Sequence, residues 1–258
     1  MNDRFIQSIC IDWGLVEEDS YLRDIPALKE MGRLEFGRNI TFFVGENGTG
    51  KSTLTEAVAV ACGFNPEGGT ADYRFSTFDD VSELGRAVKV VRGFKRPGSG
   101  YFFRAESFFN VASKAEDYRD GTAKEVYYAR YGGKSLHEQS HGESFLAYFQ
   151  SFTEAGLYVM DEPEAALSPQ RQLALFIQIA KMAERGSQFI IATHSPILLA
   201  IPGAEIYSFD GEGLFSCCYE ETESYRLTEL FINEKERIIK ELLEEEEQDE
   251  KGEEGRWL

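Results

Sequence analysis

The chain has 258 residues, 42% of them hydrophobic and 13% aromatic, and a formal net charge of −18. That apolar content suffices for a sizeable core and excludes disorder over the whole length, while the acid excess argues against a broad phosphate-binding surface and so against extensive unaided binding of nucleic acid. No apolar run approaches the roughly 20 residues of a membrane-spanning helix.

Met1 to Val16 has acids and a Trp-Gly where a secretory leader carries a basic start and an apolar stretch. The four cysteines, Cys10, Cys62, Cys217 and Cys218, form no C-x-x-C pair and suit reduced thiols. A cytoplasmic location is expected.

In chain order, Thr41 to Val44 is a short apolar run ending in a glycine-rich turn, and Ser52 to Cys62 then reads as a helix closed by Gly63. Asn65 to Asp80 and Arg96 to Gly100 read as loops, and the basic cluster Lys89, Arg92, Lys95 and Arg96 as a solvated strand-and-turn surface. Leu157 to Met160 is a second buried strand, followed by acids, and Gln188 to Ala192 is a third, followed by Thr193-His194-Ser195-Pro196. Strands apolar throughout are those of a parallel sheet covered by helices on both faces. Between them, Leu173 to Glu184 has helical spacing, with Ser168 as N-cap, Pro169 at the first position and Gly186 as the stop. This is a β-α-β crossover. Ile206 to Phe209, the Gly211-Glu212-Gly213 turn and Leu214 to Tyr219 read as a hairpin. Glu234 to Leu243 has the pattern of a helix, and Glu244 to Glu254 that of a solvated acidic tail; from Glu234 onward there are eleven acids against five bases. No internal repeat is present.

Gly45-Glu46-Asn47-Gly48-Thr49-Gly50-Lys51-Ser52 matches G-x-x-x-x-G-K-[ST] between an apolar strand and a helix, the context in which that motif cradles phosphates. The glycines let backbone N–H groups converge on an anion, and the helix start adds its positive dipole end. Lys51 would reach the β- and γ-phosphates of ATP, and the Ser52 hydroxyl would ligate Mg²⁺; the nucleotide-binding run extends to Thr53. Asp161 and Glu162 close the second strand, Asp161 as a Mg²⁺ ligand and Glu162 as the group that orients and deprotonates the attacking water. A neutral His194 would hydrogen-bond the γ-phosphate and the water.

With these residues in view the chain resembles the ABC-type ATPases from about Thr41 to Pro196. Gln139-Ser140-His141-Gly142-Glu143 is similar to that family's L-S-G-G-Q signature, with His141 in place of a glycine. The set G-E-N-G-T-G-K-S-T, R-A-E-S-F-F-N-V-A, H-E-Q-S-H-G-E-S, D-E-P-E-A-A-L-S-P and A-T-H-S-P-I-L-L looks like small bacterial ATPases akin to the RecF and SMC branch.

The resemblance implies a mostly parallel α/β P-loop fold with an antiparallel β subdomain and a helical segment, about residues 108–156, carrying the signature loop. It implies one ATPase domain over 1–233, followed by an acidic helix and tail over 234–258. It also implies an ATP-dependent head-to-tail homodimer in which Ser140 and Gly142 meet the γ-phosphate held by the other copy. Glu106 stands where the family has a metal-sensing glutamine, and could ligate the metal but not donate a hydrogen bond while ionised. Ser168 replaces the usual cross-subunit aspartate, and no motif fixes Tyr21 or Arg23 as an adenine contact. The 110-position interval from Lys51 to Asp161 contains no heptads, which excludes the long coiled-coil arm of chromosome-organising relatives. The reading is a soluble ATPase switch acting on a protein or nucleic-acid partner; a transporter's nucleotide-binding subunit and a DNA-repair or genome-defence ATPase are the alternatives.

Overall fold

The computed structural model describes residues 4–70, 82–104, 128 and 139–243. Near the start, β1 (Ile6–Ile11) pairs antiparallel with β2 (Arg33–Glu35). The first of the buried strands, β3 (Ile40–Val44), leads through the glycine-rich turn into α1 (Lys51–Cys62), and β4 (Val88–Arg92) returns to the other edge of β1. This gives a three-stranded antiparallel sheet in the order β2-β1-β4. Then come β5 (Ser99–Arg104), α2 (His141–Gln150), β6 (Gly156–Asp161), α3 (Pro169–Glu184), β7 (Gln188–Ala192), β8 (Glu205–Ser208), β9 (Phe215–Cys217) and α4 (Glu223–Asn233). The second sheet has the order β5-β6-β7-β3-β8-β9, parallel except for the β8-β9 hairpin. The expected mixed α/β architecture, mostly parallel with an antiparallel β part, is the one observed.

Alternation along the central strands explains why they carry no polar face. Tyr158 and Met160 of β6, Phe189 and Ile191 of β7 and Phe103 of β5 point into one core, with Phe145 and Phe149 of α2 and Leu175 and Ile179 of α3. Leu157, Val159, Ile190, Ala192 and Phe102 point into the other, with Leu54, Ala57 and Val58 of α1 and Ile6 and Ile9 of β1. Side chains at successive positions leave opposite faces, so a strand sandwiched between helices must be apolar at every position. Polar groups inside these strands are few and bonded, as Thr41 is to Glu205, and the candidate site residues stand where the strands end.

Helix α1 starts at Gly50 and stops at Gly63, each at φ 99°, a conformation that disfavours any residue with a Cβ. Arg92 donates to the carbonyls of Ala61 and Cys62 at the helix's last turn, and Lys89 lies 4.0 Å from Asp12. The basic cluster thus has structural partners.

Three readings need correction. Gly100 lies in β5, opposite Leu157, where a Cβ would stand 2.9 Å from Phe64 Cζ; the small polar start of β5 hid a strand. Ser168 is the N-cap of α3 as expected, with extended backbone, its carbonyl receiving the Arg171 and Gln172 N–H groups and Pro169 at the first position, though its hydroxyl makes no capping bond. The second hairpin arm ends at Cys217, ahead of the expected Tyr219. Helix α4 was not anticipated, and it has no buried residue. A further helix spans 235–243. Most of the expected 108–156 helical region lies outside the described residues, as do Glu106 and the tail from Glu244.

Candidate functional site

Gly45, Gly48 and Gly50 all take positive φ, at 139°, 84° and 99°, which curls the loop after β3 around an open centre. A Cβ on Gly45 would stand 2.8 Å from Asp210 Oδ1, and one on Gly50 2.8 Å from Ile25 Cγ2, so the loop is also packed from behind. Lys51 is 4% exposed. Its Nζ donates to the carbonyls of Gly45 at 2.7 Å and Glu46 at 2.6 Å. Burial pulls its pKa below the usual lysine value, partly offset by Glu162, Asp210, Asp161 and Glu164. Ser52 and Thr53 are half-buried in the first turn of α1, Glu46, Asn47 and Gly48 form the exposed tip, and Thr49 Oγ1 donates to the Glu46 carbonyl at 2.9 Å.

Asp161 ends β6 opposite Ala192 and is 8% exposed. Glu162 follows with φ 47°, the one non-glycine residue in the left-handed region among those described. Its N–H reaches the Ala192 carbonyl at 2.9 Å, and its carboxylate lies 3.9 Å from His194 Nε2. That is too long for a hydrogen bond, and His194 Nε2 is a buried atom with no hydrogen-bond partner among the described residues. Burial and the nearby Lys51 hold the imidazole pKa below its ordinary range, against the pull of Glu162 and Asp210. The ring is therefore neutral, with a nitrogen available to a ligand. Backbone held in a sparsely populated region beside an unsatisfied polar atom is characteristic of sites under chemical constraint.

The signature-like stretch lies on the surface. Ser140 is exposed at the start of α2, its N–H and Oγ both donating to Glu143 Oε2, at 3.0 and 2.8 Å. Arg171, in the first turn of α3, donates to Ser140 Oγ at 3.0 Å and to Glu143 Oε1 at 2.7 Å. A Cβ on Gly142 would come within 2.8 Å of the Ala166 carbonyl, so glycine lets α2 sit against the turn after β6.

A polar pocket of about 530 Å³ brings together Glu46, Asn47, Glu162, His194 and Glu223. A cavity of about 1080 Å³ runs along the outer side of the same loop, past Asp210 to Phe215, Arg226 and Leu227. Among the described residues no group of three His, Cys, Asp or Glu side chains could hold a metal alone. Asp161 and Ser52 fit the pattern of a Mg²⁺ site completed by phosphate oxygens and water.

Three site residues escaped the sequence. Asp210 Oδ1 accepts the Glu46 N–H at 2.7 Å, while its Oδ2 accepts from Ser208 Oγ at 3.0 Å; it braces the cradle from a sequence distance of 164. Glu164 Oε1 accepts the His194 N–H at 2.6 Å. Glu223 borders the pocket from α4. Arg23, weighed as an adenine contact, donates to the Trp13 and Val16 carbonyls and stacks over Trp13 at 5.4 Å; its guanidinium holds its own loop.

The AAA_21 family model, described as an AAA domain and also naming the AbiEii toxin and type IV toxin–antitoxin systems, matches residues 143–200. That span runs from α2 through Glu162 and His194. CbiO1 from Clostridium perfringens, part of the ABC transporter complex CbiONQ, is a similar solved structure at 16% identity, covering 82% of this chain and 90% of its own, with a TM-score of 0.45. The Smc head bound to the C-terminal winged-helix domain of ScpA is similar at 14% identity, over 73% of this chain and 94% of its own, with a TM-score of 0.42. The SMC head domain from Thermotoga maritima is similar at 13% identity, over 72% and 92%, with a TM-score of 0.39. No curated protein matches the chain. The family-model match, an AAA domain, agrees with the ATPase part of the resemblance over residues 143–200.

Proposed function

We propose that the chain binds ATP with Mg²⁺ in the turn Gly45–Thr53 and hydrolyses it, using the cycle to close and open a head-to-tail pair of copies that act on a protein or nucleic-acid partner. One observation carries the reading. Glu162, in its left-handed backbone, and His194 line one polar pocket with the motif residues Glu46 and Asn47, and the buried Lys51 ammonium is near enough for its charge to act on both.

Each residue has a task that follows from its surroundings. Lys51 would exchange two carbonyl acceptors for phosphate oxygens, a gain because charge-assisted bonds to anions are the stronger kind. Glu162 would take a proton from the attacking water, and His194 Nε2 would donate to the γ-phosphate. Asp161 and Ser52 would hold the metal, which when bound neutralises phosphate charge. Glu106, outside the described residues, is proposed as a further metal ligand. Ser140 and Gly142 of one copy would approach the γ-phosphate held by the other.

Calorimetry of Mg²⁺-ATP binding tests the core of this. Wild-type protein should bind, and Lys51→Ala should lose about 2–5 kcal/mol of affinity, the usual cost of removing one partner from a buried charge pair. Equal heats from the two proteins would sink the reading.

A further inference from the structure

We infer that Glu164 is a positioning residue that locks the turn carrying His194 to the turn carrying Glu162; the inference rests on the ATPase reading. The two turns leave neighbouring strands whose ladder ends at the Asp161–Ala192 pair. Past that point one more backbone bond, from Glu162 N–H to the Ala192 carbonyl, ties them at 2.9 Å. On the other side Thr193 N–H reaches the Phe43 carbonyl of β3 at 3.1 Å, so strand-to-strand bonds hold the second turn as far as Thr193 and His194 lies one residue beyond them.

Glu164 supplies the second tie. The chain turns back on itself after Glu162, with Ala165 N–H bonded to the Glu162 carbonyl at 3.1 Å and Leu167 N–H to the Glu164 carbonyl at 2.8 Å. This aims the Glu164 side chain across the gap, where Oε1 takes the backbone N–H of His194 at 2.6 Å. Next to it, Thr193 Oγ1 accepts the Ser195 N–H at 3.0 Å. Ser195 Oγ donates to Gln172 on α3 at 2.7 Å and caps the short helix Pro196–Leu199 through the Leu198 N–H. His194 is thus anchored by its backbone and left free at its ring, whose Nε2 has no hydrogen-bond partner among the described residues. A catalytic side chain needs that combination, since a displacement of about 1 Å at such a group can cost on the order of 10²-fold in rate.

Burial pushes the Glu164 carboxyl above its ordinary range. Glutamine at this position keeps the shape of the side chain and an oxygen that can accept the His194 N–H.

The test measures steady-state ATP hydrolysis and Mg²⁺-ATP affinity on the full chain for Glu164→Ala, Glu164→Gln, His194→Ala and the Glu164→Ala/His194→Ala double variant. Glu164→Ala should lower kcat about tenfold or more with affinity within about twofold, and Glu164→Gln should recover most of that loss. The double variant should be no slower than His194→Ala alone, because a group acting through His194 has nothing to add once the ring is gone. In nucleotide-free protein the His194 amide should exchange slowly with solvent in wild type and in Glu164→Gln, and fast in Glu164→Ala. Additive losses in the double variant, a loss of affinity that matches the loss of kcat, or a Glu164→Ala protein with wild-type kcat would each overturn the inference. If wild-type turnover depends on Lys51 and Glu162 yet ignores Glu164→Ala, the inference alone falls; if wild-type protein turns over no ATP, the underlying reading falls first.

Discussion

At Lys51 the candidate site is inside the protein, with the residue 4% exposed and held by two carbonyls of its own loop, whereas at Ser140 it is on the surface, where the side chain is bonded to Glu143 and Arg171. The cradle grows out of the ends of buried parallel strands and is braced from the next strand end by Asp210. The signature-like stretch stands at the start of α2, on exposed polar bonds. Buried polar networks are stiff and costly to disturb, while exposed ion pairs contribute little and rearrange easily. On the proposed reading, one half of the site is built to hold its shape and the other to change partners.

The sharpest break of that contrast is Glu162→Gln. If the interior half is complete within one copy, the variant should keep ATP affinity yet lose about 10²–10⁴ in hydrolysis, the range for removing a general base; phosphate release and calorimetry measure the two separately. Asp210→Ala comes next. It leaves the Glu46 N–H and Ser208 hydroxyl without their acceptor and should weaken ATP binding by about 1–3 kcal/mol, with kcat at saturation changed less than affinity. Arg171→Ala should do least to the isolated chain, about 1 kcal/mol or less in denaturant stability, and nothing to ATP binding by one copy. Placed in the Glu162→Gln background it should weaken the ATP-dependent dimer seen by gel filtration. An Arg171→Ala protein that lost single-copy ATP binding would erase the distinction between the two halves.

How much of this the sequence disclosed depends on where the constraint acts. The strands β3, β6 and β7 were legible because burial on both faces forces every position to be apolar, and the cradle because its glycines and Lys51 must be contiguous. The ends of α3 were legible from Pro169 and Gly186, although the hydroxyl of Ser168 plays no part in starting it. Asp210, Glu164 and Glu223 were not, since each reaches the site across a gap in sequence that no local pattern records. Helix α4 was missed for another reason: Leu227, Leu230 and Phe231 are spaced as on a helix but all three are 40% exposed or more, so the pattern is not that of a core face. The antiparallel sheet entered only through family resemblance, because β1 and β4 mix polar and apolar residues.

Glu162 occupies a backbone conformation, φ 47°, that only glycine adopts without penalty. For other residues that conformation costs about 1–2 kcal/mol, while a glycine brings back about 0.5–1 kcal/mol of chain freedom in the unfolded state. Glu162→Gly should therefore melt at or slightly above the wild-type temperature in a thermal scan while losing its chemistry. At this position durability and usefulness pull in opposite directions, and a chain retained for its toughness alone would have no reason to keep an acid there.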